Sequence, residues 1–80
     1  MTTKERKETL RKETVKKYER LKYKVGSIYH NGEISADDER MRLKFLTREE
    51  NLRLAEIDQM SAKEAKKCYD KLMKKINPGT

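Results

Sequence analysis

The stretch LRKETVKKYERLKYKVGSI, residues 10–28, decides the fold. Leu10, Thr14, Tyr18, Leu21, Val25 and Ile28 recur in it at spacings of 4, 4, 3, 4 and 3, which puts them on one face of an α-helix. Lys12, Lys16 and Arg20 fall on the opposite side, so the pattern predicts a long amphipathic helix with a basic ridge. Its heptad-like part, Tyr18 to Ile28, covers two repeats. A coiled coil needs roughly three or four, so packing within a bundle is expected. Glu5, Glu8, Glu13 and Glu19 can pair at helical spacing with Lys4, Lys12, Lys17 and Lys22.

That periodicity settles a conflict in the composition. Leu, Ile, Val and Phe make up only 14 of 80 residues, and 21 bases against 14 acids leave a net charge of +7, a combination that warns of disorder. Ala, Glu, Lys, Leu and Arg make up 42 of 80, which signals long helices when the apolar residues are periodic. The helical face in residues 10–28 favours the second reading.

Outward from this stretch, Gly26 and the pair Asn31-Gly32 are the strong internal turn signals. Gly26 can end the first helix, and a small β-hairpin over Tyr23 to Ile34 is the lesser alternative. Ser35 followed by Asp37, Asp38 and Glu39 starts a second helix, since a hydroxyl accepts from an orphan amide and acids suit the positive helix end. The apolar residues of this helix occupy two opposed faces, Met41, Phe45, Leu52 and Ala55 on one and Leu43, Leu46, Leu54 and Ile57 on the other. A central helix packed on both sides is the expectation. The capping-box pattern Thr47-Arg48-Glu49-Glu50 allows a break near Leu46, giving four helices, and the alternation Met41, Leu43, Phe45 allows a short strand. Ser61-Ala62-Lys63-Glu64 caps the last helix, whose stripe is Ala65, Cys68, Tyr69, Leu72, Met73 and Ile76. The expected architecture is a small all-α three-helix bundle, a single helical domain over residues 1–80 with a flexible tail at 77–80.

Catalytic signals are absent: three glycines make no phosphate loop, and His30 stands beside the Asn31-Gly32 turn with no carboxylate spaced to orient it. No enzyme activity, cofactor or metal is expected; Asp37, Asp38 and Glu39 are explained by the helix start. Cys68 reads as a small buried hydrophobe, and one thiol with one histidine builds no zinc site. A lone cysteine and charged first residues, with no apolar run long enough for a membrane, point to a reducing, cytoplasmic setting.

The basic balance favours anionic partners, either nucleic acid, DNA or RNA, or an acidic protein surface. Residues Asn51 to Tyr69 weakly resemble a helix-turn-helix unit, with Leu54, Ala55, Met60, Ala65 and Cys68 at contact positions. Asp58-Gln59 departs from the small or apolar residues usual in such a turn, and a plain helical hairpin fits the spacing better. Lys63, Lys66, Lys67, Lys71 and Lys74 on the last helix, with Lys12, Lys16 and Arg20 on the first, are the candidate phosphate contacts. Lysine makes point-charge contacts, so binding is expected to ignore base sequence. The alternative is a helical interaction module, a regulator or inhibitor of a larger machine, that docks through Tyr18, Tyr23 and the first helix.

Overall fold

Thr2 is where the chain turns helical: its hydroxyl accepts from the Glu5 amide at 3.2 Å, and the Glu5 carboxylate accepts from the Thr2 amide at 3.2 Å. This reciprocal capping box satisfies two orphan donors, and the Thr2 bonds, its backbone N–H foremost, hold the Glu5 carboxyl below its ordinary value. The computed structural model describes residues 1–76, and the flexible tail expected at 77–80 lies outside them. The chain forms three helices, α1 (Thr3–His30), α2 (Ala36–Gln59) and α3 (Ala62–Ile76), with no strand among the described residues. It is an all-α three-helix bundle.

α1 runs through Gly26 without a break and ends in a Schellman cap. The Gly32 amide donates to the Tyr29 carbonyl at 2.9 Å and the Glu33 amide to the Ile28 carbonyl at 3.0 Å. Gly32 stands at φ +76°, a conformation that costs little without a Cβ. The hairpin alternative over Tyr23 to Ile34 is therefore overturned: Asn31-Gly32 closes a helix instead of joining strands.

The Ser35 hydroxyl caps α2 by accepting from the Asp38 amide at 3.2 Å. α2 is continuous, which removes both the break at Leu46 and the strand over 41–45. The Thr47 hydroxyl, a candidate cap, instead donates to the Leu43 carbonyl one turn back, as a threonine inside a helix does. At α3 the expected cap is present, with the Ser61 hydroxyl accepting from the Glu64 amide at 3.2 Å.

α1 lies between the other two helices. α2 runs back along it, fastened by Arg11 to Asp58 at 2.9 Å and Lys22 to Glu50 at 3.0 Å. α3 then runs beside the middle of α1, its last turns facing Leu10 to Arg20. Among the described residues α2 and α3 each pack on α1 and touch one another little; a two-residue link, Met60-Ser61, joins them. Every member of the residue 10–28 stripe is buried or half-buried, and the core consists of Leu10, Tyr18 and Val25 on α1, Ile57 on α2 and Ala65 on α3. Because α1 is the shared helix, α2 covers only one of its apolar faces. Leu43, Leu46, Leu54 and Ile57 turn inward, whereas Met41, Phe45 and Leu52 are 70%, 65% and 59% exposed. The expectation that α2 is packed on both sides is corrected.

Side-by-side packing makes the molecule thin, 45 × 30 × 13 Å. Its radius of gyration is 15.6 Å, where a compact chain of this length has about 12 Å.

Candidate nucleic-acid interface

All eight cations singled out from the sequence stand in solvent: Lys12, Lys16 and Arg20 on α1, and Lys63, Lys66, Lys67, Lys71 and Lys74 on α3. Their exposure follows from helical phase. Ala65 is fully buried against α1, and at about 100° per residue Lys63, Lys67 and Lys74 then point from the far side of α3. None of the five α3 lysines forms an ion pair among the described residues. Lys12 and Lys16 sit within 3.8 Å of Glu8 and Glu13 respectively, which dilutes the positive field on α1.

The α1 ridge comes close to the end of α3, where Lys17 and Arg20 line a hollow together with Lys75. Lys16, Arg20, Lys24 and Tyr23 gather around a shallow depression on α1 together with the acids Glu13 and Glu19, and Ile76 at the end of α3 forms its far wall. Lys63 and Lys67 lie in the first two turns of α3, away from its Ile76 end. Lys24 was not anticipated; its place one turn beyond Arg20 was the available signal.

The two tyrosines proposed as partner contacts part company. Tyr23 is 78% exposed, with its ring free beside the ridge. Tyr18 is 2% exposed and belongs to the core, so it offers no contact surface. Burial pushes its phenol above the ordinary value, and the neighbouring Glu49 carboxylate adds to that against the opposing pull of Arg53.

The helix-turn-helix resemblance over Asn51 to Tyr69 is overturned by packing. That motif requires its second helix to lean on its first, whereas α3 leans on α1 and touches α2 little beyond the link. Asn51 also lies within a continuous 24-residue helix instead of opening a short one. The plain hairpin of α2 and α3 falls for the same reason.

His30 is the last residue of α1, exposed and suited to a negative helix end. Cys68 is a free thiol, half-buried where full burial was expected. Among the described residues no three His, Cys, Asp or Glu side chains cluster as metal ligands. No helix there is long and apolar enough to cross a membrane. What the surface offers is fixed positive charge, the exposed rings of Tyr23, Tyr29 and Phe45, and the uncovered apolar side chains of Met41 and Leu52. No protein-family model, curated protein or solved structure matches this chain.

Proposed function

We propose that the chain binds nucleic acid, DNA or RNA, through phosphate contacts that do not depend on base sequence. The observation that carries this reading is the row of five exposed lysines on α3 without ion-pair partners among the described residues. A phosphate backbone rewards such a row by releasing condensed counterions, and it makes no demand for the bidentate geometry that lysine lacks. The depression holding Lys16, Arg20 and Tyr23 supports the same reading, since a ring beside cations stacks on an unpaired base while the cations hold the flanking phosphates.

The test is a salt titration. Affinity for duplex or single-stranded nucleic acid should fall linearly with log salt, at a slope of about −0.9 per contact on B-DNA and about −0.7 on a single strand. Lys63→Glu with Lys67→Glu should weaken binding and flatten the slope, with the helical spectrum unchanged. Binding weaker than about 10⁻⁴ M at moderate salt overturns the reading, because even ordinary non-specific association is then missing.

A second reading, a helical module docking on an acidic protein surface, is favoured by the 78% exposure of Tyr23. Its signature is a stoichiometric protein partner that resists nuclease and is lost with Tyr23→Ala while Lys63→Glu with Lys67→Glu leaves it bound.

A further inference from the structure

We infer that the uncovered face of the α1–α2 hairpin is a self-association surface, on which a second copy of the chain packs about a two-fold axis. α3 spans Ala62–Ile76, and among the described residues the distal part of α1 is flanked by a helix on one side, α2. There Leu21, Val25 and Ile28 form the floor of an open groove whose wall is Met41 and Phe45 of α2. Leu52, on the same side of α2 as Met41 and Phe45, continues the apolar strip.

Area and charge point to a second copy as the occupant. The chain exposes 6542 Å². A compact monomer of this mass exposes about 5,100 Å², so about 1,400 Å² is in excess. One partner in a standard interface buries about 800 Å². The excess belongs to the thin shape of the whole molecule and is of the order that one partner in such an interface buries.

Charge selects the face. α3 carries six bases against two acids, so two copies meeting through it would repel. α2 carries seven acids and five bases, and the groove's rim holds Asp38 as well as Lys24 and Arg42. A rim of both signs is self-complementary under a two-fold axis, where each residue meets its counterpart's neighbour. Two hairpins stacked in this way form a four-helix arrangement and give this thin molecule the second layer that domains ordinarily have.

Sedimentation equilibrium over a concentration series tests the inference. The expected mass is twice 9.6 kDa at about 100 μM, falling toward the single-chain value on dilution. Phe45→Asp should weaken association at least about tenfold, with the circular dichroism spectrum retained because the side chain is already solvent-facing. Met41→Glu serves as an independent variant, with the same expectation, should Phe45→Asp not fold. Lys63→Glu with Lys67→Glu should leave the dimer intact. A single-chain mass at every concentration overturns the inference, as does a dimer indifferent to both groove variants; the first result leaves the groove to a different partner and the second places the contact elsewhere. Either result is independent of nucleic-acid affinity.

Discussion

Tyr18 shows how far one residue can be read. Its place in the stripe of residues 10–28 marked it as core, while its hydroxyl also suited a contact surface. Packing decided, because α2 brings Glu49 and Arg53 to the phenol and the ring needs no solvent. Tyr23 has the same chemistry five residues on, a different helical phase and the opposite fate. Removing the buried ring with Tyr18→Ala should cost about 3 kcal/mol, read as a lower urea midpoint; an unchanged midpoint would remove Tyr18 from the core. The same burial sets a pH dependence. The folded-state phenol is raised above its ordinary value of 10.0. Its contribution is therefore fully present below that value and is lost as pH rises through the folded-state titration. Melting temperature should fall more steeply for the natural chain than for Tyr18→Phe as pH rises above about 10.

At the scale of elements, starts were easier to read than ends. Ser35 and Ser61 were visible as caps, because a hydroxyl before a charged first turn has a single local use. The Thr2–Glu5 box at the start of α1 has the same spacing and was overlooked among charged residues. Asn31-Gly32 stayed ambiguous because a positive φ serves both a hairpin turn and a Schellman cap, and the two part only at Ser35, where a new helix begins in place of a returning strand. The two internal glycines should therefore respond oppositely to alanine. At Gly26, inside α1 with open space around an added Cβ, alanine should stabilise by about 0.5–1 kcal/mol. At Gly32, held at φ +76°, it should destabilise by about 1 kcal/mol. Thermal melts of the two variants check both signs, and a shared direction would contradict the cap.

For the whole molecule, periodicity counted the apolar faces correctly and assigned them to the wrong centre. α2 has two such faces in sequence, so it resembled the middle helix. α1, with one continuous stripe, is the helix that both others share, because its stripe is wide and long enough for α2 and α3 to settle side by side. No local pattern records that choice: it depends on the two-residue link, which carries α3 back along α1. The basic ridges were legible because exposure is the default for lysine. Their placement relative to one another was not, since it depends on which helix lies in the middle. A charge test belongs at this scale. Reversing Lys12 and Lys16 to Glu should weaken nucleic-acid binding less than reversing Lys63 and Lys67, because the α1 pair already has Glu8 and Glu13 beside it. Equal losses would show that the two ridges merely gather phosphates.

The position of α1 between two neighbours that barely touch also sets the order in which the molecule comes apart. α3 can undock while α1 and α2 stay zipped through Lys22 and Glu50, since no contact network binds α3 to both. Native-state amide exchange should resolve two protection levels: Ala65 and Leu72 exchanging through a partial opening of lower free energy, and Tyr18 and Val25 through global unfolding. A protein built on one spine thereby holds the helix with the highest net positive charge per residue as its most readily released part, so that polyanion binding would slow exchange first in α3.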